Sequence, residues 1–107
     1  LAGPGVDVEV LVRDVALDAP ADGDVVATMH AALRAEDPEA HVLPYCLSGG
    51  TDNKAYSRLG IRGYGFVPLR LPEGLDFAGM FHGVDERVPL DALRFGTRVL
   101  GHLLENC

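Results

Sequence analysis

The run VDVEVLVR, residues 6–13, constrains the chain more than any other stretch. Val6, Val8, Val10 and Val12 recur at every second position and alternate with Asp7, Glu9 and, beyond Leu11, Arg13. A period of two puts side chains of one parity on one face of an extended backbone, so four β-branched side chains share a face. The pattern predicts a half-buried strand, and a strand commits the chain to a sheet. Directly after it, LDAPADGD is turn chemistry and a break in composition. The strand is therefore expected to belong to a different sheet from the one that follows.

The rest of the chain reads as alternating elements. Asp22 or Asp24 can cap a helix from Asp24 to about Glu36, in which Val25, Val26, Met29 and Leu33 form one stripe until Pro38 stops it. AHVLPYCLSGG is a short apolar run closed by two glycines, which predicts a buried strand entering a tight turn, with Pro44 marking an edge or bulge. TDNKAYSRLG predicts a helix of two turns, capped by Thr51 or Asp52 and ended by Gly60 in a left-handed conformation. IRGYGFVPL returns as a strand loosened by Gly63 and Gly65. Pro89 suits the first turn of a last helix whose buried face is expected to be Leu90, Leu93, Leu100 and Leu104 with Val99 and Leu103. Strand, helix, strand, helix, strand, helix predicts an α/β layer architecture, without internal repeats.

Composition excludes some functions. At 107 residues with 48% hydrophobic and 23% charged content, the chain is long enough for one domain, or part of one. A net charge of −7, with Lys54 the sole lysine and the arginines scattered, argues against neutralising the phosphates of a nucleic acid. No apolar run approaches the roughly 20 residues of a membrane span, and no signal-peptide pattern opens the chain, so a cytoplasmic address is expected. Cys46 and Cys107 have neither metal-finger nor redox spacing and read as free thiols. The chain starts at Leu1 without an initiator methionine, which reads as a piece of something longer.

Two stretches carry candidate chemistry. In SGGTDN, residues 48–53, a glycine turn leads into a helix start, a geometry that aims backbone N–H groups at one point and would stabilise an anion or a developing oxyanion. A tight turn with a Thr or Asp cap is the bland alternative. In FHGVDER, His82 stands in a glycine-broken loop just ahead of the last helix, followed by Asp85 and Glu86. The imidazole is either one metal ligand or an ordinary loop residue, because a catalytic zinc needs three protein ligands and no local pattern such as H-E-x-x-H supplies them. The acidic pair either orients the imidazole or reflects the preference for acidic residues near a helix start. His30 and His102 fall in helices and His41 in a polar turn, where structural or solvent-facing roles are expected.

Taken together, GGTDNKAYSRLGIRGYGFVPL and, a dozen residues on, FHGVDERVPLDALRFGTRVLGHLL resemble the C-terminal part of the aminoacylase, acetylornithine deacetylase and carboxypeptidase family of two-zinc metallopeptidases. The resemblance covers about residues 42–104; the opening run and first helix agree only in order and type. Lys54 departs from the arginine usual at that turn. The resemblance implies a catalytic domain interrupted by a smaller lid used for dimerisation, with residues 1–17 ending the lid and residues 18–107 forming the C-terminal part of the catalytic domain. It implies His82 as the last metal ligand, Gly50 and Thr51 as contacts near the scissile carbonyl, and a peptide or N-acyl amino acid as substrate. Two zinc ions, a glutamate general base and the other ligands would come from the N-terminal part of the same enzyme, which is expected to be a homodimer. Such an enzyme cleaves an amide by metal-activated water; this segment alone is expected to be inactive.

Two rivals compete with that reading. The chain could be a non-catalytic α/β binding or interaction module, with His82 and the glycine turn structural and the valine strand pairing with a partner. Thiol catalysis by Cys46 would need a histidine beside a cysteine whose apolar surroundings predict burial.

Overall fold

The computed structural model describes residues 3–13, 16–47 and 49–107. The described residues form helices and irregular connections only: α1 (Asp24–Glu36), α2 (Asn53–Ser57), a 3₁₀ turn (Ala78–Met80) and α3 (Leu90–Glu105). The expected α/β architecture is thus corrected to an all-helical one; among the described residues there is no strand and no sheet. The reason lies in what a period-two pattern specifies. It fixes which side chains share a face, but a strand also needs a neighbouring backbone to pair with. For residues 6–12 no such neighbour is found among the described residues, and Val6, Val8, Val10 and Val12 stay 60%, 69%, 66% and 84% exposed. The same holds for the two later segments expected as strands, where Leu43, Tyr45, Leu47, Ile61 and Val67 are all exposed.

The chain divides into two units. One comprises Leu1–Ala19 with Ser48–Tyr64; the other comprises Pro20–Leu47 with Gly65–Cys107.

The second unit is organised by α1 against α3. Helix α1 begins after Gly23, whose φ of 91° is open to glycine, and carries Asp24 in its first turn, where a carboxylate favours the positive helix end. Neither Asp22 nor Asp24 supplies a side-chain cap there. It ends at Asp37, just before Pro38, as a proline's demand on the residue preceding it requires. The core is small: Val26, Ala32, Ala92, Phe95 and Val99 are buried, with Leu33, Phe66 and Leu103 packed around Ala32, Phe95 and Val99. Helix α3 therefore buries Ala92, Phe95, Gly96 and Val99. This corrects the expected face in part: Val99 is buried and Leu103 packs beside the core as expected, but Leu90, Leu93, Leu100 and Leu104 are all exposed. Gly96 decides which face turns inward. A Cβ there would lie 2.5 Å from the Pro68 carbonyl oxygen, so only glycine admits that backbone against the helix.

The first unit holds the valine run and α2. Helix α2 has five residues instead of two full turns, and Gly60 follows with φ 77°, the left-handed conformation expected of it.

Candidate functional site

The loop before α3 is built by short-range contacts. The Gly79 N–H donates to Asp76 Oδ1 at 2.9 Å and starts the 3₁₀ turn, and Phe77 meets Phe81 edge to face with ring centroids 5.2 Å apart. The Gly83 N–H then closes on the Met80 carbonyl at 2.9 Å. A Cβ at Gly83 would sit 3.0 Å from that same oxygen, so the turn is tight because residue 83 has no side chain.

His82 lies inside this turn. Its φ is 59°, the one positive value among the described non-glycine residues. A left-handed backbone costs an L-residue roughly 1–2 kcal/mol, although histidine tolerates it better than most. What holds it is Glu86, whose Oε2 accepts the His82 backbone N–H at 3.0 Å. Glu86 therefore engages the main chain, not the imidazole, and the Asp85 carbonyl accepts Arg87 Nη1 at 3.2 Å. Of the roles open to the acidic pair, orienting the ring is not the one observed; Glu86 fixes the backbone that carries the ring. The imidazole is exposed and forms no hydrogen bond among the described residues. Downstream, the Leu93 N–H donates to the Pro89 carbonyl at 3.0 Å, so α3 starts immediately beyond the loop. Pro89 stands as the residue before the helix, with extended ψ of 135°, and not inside its first turn.

Gly50 and Thr51 lie in the other unit. With Asp52, Lys54, Ala55 and Arg58 they line an open depression of about 440 Å³. Thr51 Oγ1 accepts the Asn53 N–H at 3.4 Å, and the Thr51 carbonyl accepts that of Lys54 at 3.1 Å, so Thr51 is occupied in starting α2. Asp52 makes no side-chain cap. Five residues sum few peptide dipoles, so the helix end adds little charge to a depression that Asp52, Lys54 and Arg58 line together. Ser48, which opens the expected turn, lies outside the described residues.

Sequence reasoning missed a third cluster. On α3, Arg98 and His102 are four residues apart and both reach Glu36 at the end of α1: Arg98 Nε to Oε2 at 2.6 Å and His102 Nε2 to Oε1 at 3.2 Å. The Glu36 side chain is 18% exposed. Hydrogen bonding from Arg98, opposed by desolvation and helped by His102, holds its carboxyl below the usual value. The four-residue spacing was visible in the sequence, but the partner across 62 residues was not.

No group of three or more His, Cys, Asp and Glu side chains among the described residues is arranged to hold a metal ion. Residues present here thus do not by themselves fit a zinc centre; His82 is a single donor. Cys46 is exposed, against the expected burial, and Cys107 is exposed too. No described helix is long and apolar enough to cross a membrane. Comparison with protein-family models, with curated proteins and with solved structures finds no match for the chain.

Proposed function

We propose that the chain is the C-terminal segment of a metal-dependent amide hydrolase acting on peptides or N-acyl amino acids, and that it contributes His82 as one metal donor. The observation that carries this reading is the His82 loop. A histidine in a strained backbone, pinned by a carboxylate on its own N–H, points an uncommitted imidazole to solvent. Strain of this kind persists where the surroundings over-determine it, and a ligand needs such fixed placement. The FHGVDER resemblance gives the loop a chemical identity, and on that reading the remaining donors come from another part of the enzyme. Gly50 and Thr51, which line the open depression, are proposed as substrate contacts. A homodimeric, cytoplasmic enzyme is the corresponding expectation for the whole protein.

The test is the intact product of the gene, its mass measured first. It should carry upstream an H-x-D segment and a paired-glutamate segment, and release free amino acid from N-acyl amino acids or peptides in a chelator-sensitive manner. An intact product of only these residues, or one without such activity on a panel of both substrate classes, would refute the proposal.

One observation favours a second reading, an interaction module without catalysis. The apolar side chains of Val6, Val8, Val10, Leu11 and Val12 and of Leu43, Tyr45 and Leu47 are exposed, and apolar side chains left in water can serve a partner. An intact product that lacks chelator-sensitive hydrolysis and binds another polypeptide would select this reading.

A further inference from the structure

An aspartate or asparagine side chain can cyclise onto the main chain that follows it, and the reaction needs two free groups: the side-chain carbonyl carbon and the N–H of the next residue. Asp22–Gly23 is the sole Asp–Gly or Asn–Gly pair in the sequence. Both residues are exposed and lie directly ahead of α1. Among the described residues the Asp22 carboxylate takes no hydrogen bond or ion pair, and the Gly23 N–H donates to no acceptor. That N–H is one of the donors at a helix start that no side chain caps. Gly23 has φ 91°, and a Cβ built there would meet nothing within 4 Å. The residue that offers the nitrogen thus has neither a side chain of its own nor a neighbour on that side to shield it.

Elsewhere the fold withholds one of the two groups. Asparagine closes such a ring more readily than aspartate, but the Lys54 N–H that Asn53 would need is held by the Thr51 carbonyl at 3.1 Å. The Asn106 side chain is held by the His102 carbonyl at 2.8 Å. Asp37 precedes Pro38, which has no N–H. The Asp76 carboxylate accepts the Gly79 N–H at 2.9 Å, and the N–H after Asp85 donates to the Gly83 carbonyl at 3.4 Å. Asp7 and Asp18 are open, but the side chains of Val8 and Ala19 follow them.

We propose that Asp22–Gly23 is a site of spontaneous modification, at which the chain passes through a succinimide to isoaspartate. The Gly23 nitrogen bonds to Asp22 Cγ, the bond from Cγ to the hydroxyl of the protonated carboxyl breaks, and the hydroxyl leaves with the amide proton as water. Water then reopens the ring. Opening at Cγ restores aspartate; opening at the main-chain carbonyl leaves the chain running through Cγ and frees the former main-chain carbonyl as the carboxylate. Nothing is oxidised or reduced, and the net change is an isomerisation. The product adds one methylene to the main chain soon after the chain leaves the first unit at Ala19, and just ahead of the Gly23 carbonyl that accepts the Ala27 N–H at 3.0 Å. The proposal goes beyond the hydrolase reading and does not depend on it.

The experiment is incubation of the folded 107-residue chain at neutral pH for several weeks, below its melting temperature, followed by digestion and fragmentation mass spectrometry that locates succinimide and isoaspartate. Residue 22 should be modified roughly tenfold faster than any other described aspartate or asparagine. Asp22→Glu should abolish modification there, since a longer side chain must close a larger and slower ring, and Asp22→Asn should speed it, with ammonia leaving in place of water. The Asp22 side chain makes no contact that folding needs, so the helicity of both variants, read by circular dichroism, should equal that of wild type. In guanidinium chloride the Thr51 contact to Lys54 is lost, and modification at Asn53 should rise relative to residue 22. An unmodified residue 22 would overturn the proposal. So would another residue modified faster in the folded chain, and so would a ratio of Asn53 to Asp22 modification that denaturant leaves unchanged.

Discussion

Truncating Val99 and truncating Leu93 on the same helix should have unequal costs, and the difference tests which face of α3 is packed. Val99 is 0% exposed and sits with Ala32 and Phe95, whereas Leu93 is 49% exposed. Val99→Ala removes two buried carbons, worth about 1.6 kcal/mol at about 0.8 kcal/mol each. The cavity left behind adds to that, and alanine's better helix propensity returns at most about 0.7 kcal/mol. The net cost is roughly 1.5–2.5 kcal/mol. Leu93→Ala removes three carbons that are about half in water already, so the transfer loss is about 1.2 kcal/mol, with no enclosed cavity and a small helical gain. Its net cost is about 1 kcal/mol or less. Equilibrium urea unfolding followed by far-ultraviolet circular dichroism reads both, since a slope of about 1–2 kcal/mol per molar for a domain of this size turns the difference into a midpoint shift of about a quarter of a molar or more. Leu93→Ala proving as costly as Val99→Ala would refute the assignment of the packed face and restore the leucine face expected from sequence.

Further outcomes follow from the same contacts. Gly96→Ala should destabilise α3 against residues 65–69, because the new Cβ meets the Pro68 backbone and not a movable side chain; a variant with an unchanged urea midpoint would contradict this. Glu36 has a folded-state carboxyl pKa held below the ordinary value, so the stability it contributes is present above the ordinary carboxylate range and is lost as pH falls through the lower folded value. Glu36→Gln should therefore flatten the acid limb of the stability profile, and an acid limb identical to wild type would count against the Arg98 contact. Glu86→Gln should keep a neutral acceptor for the His82 N–H while Glu86→Ala removes it, so chemical-shift changes at His82 and Gly83 should be larger for alanine; equal changes in the two variants would show that the contact does not hold the turn. Zinc titration of the 107-residue chain should show no site tighter than one exposed imidazole provides; submicromolar binding by a verified monomer would contradict the single-donor description.

The helices were legible because their signals are local. Pro38 follows the end of α1, Pro89 precedes α3, and Gly60 terminates α2, each through backbone chemistry that its own residue enforces, whereas the cap expected from Asp22 or Asp24 is not formed. The packed face of α3 was not legible, because the helix carries two apolar stripes. Sequence periodicity groups Leu90, Leu93, Leu100 and Leu104 with Val99 and Leu103, whereas the packed face runs through Ala92, Phe95, Gly96 and Val99, with Leu103 beside the core. Close approach by Pro68 at Gly96 settles the matter in the structure, and that contact joins residues distant in sequence. The strands failed for the same reason on a larger scale. Alternation in residues 6–12 is real, but the partner that would make it a strand is a non-local matter that the pattern does not encode. At the candidate site, the residue pattern located His82 and its glycine but could not choose between ring and backbone as the target of Glu86. The left-handed φ of His82 turns its N–H toward residue 86, and no residue pattern announces a positive φ at a non-glycine position.

The central proposal is that His82 serves chemistry and that the Glu86 contact to its backbone N–H serves its placement. The most direct measurement is metal content and turnover of the intact gene product carrying His82→Ala, beside wild type, with the melting temperature of both metal-free forms. The account predicts turnover lower by orders of magnitude, reduced metal occupancy and nearly equal metal-free melting temperatures, because an exposed loop imidazole contributes no packing. Near-normal metal content and turnover in His82→Ala would contradict it.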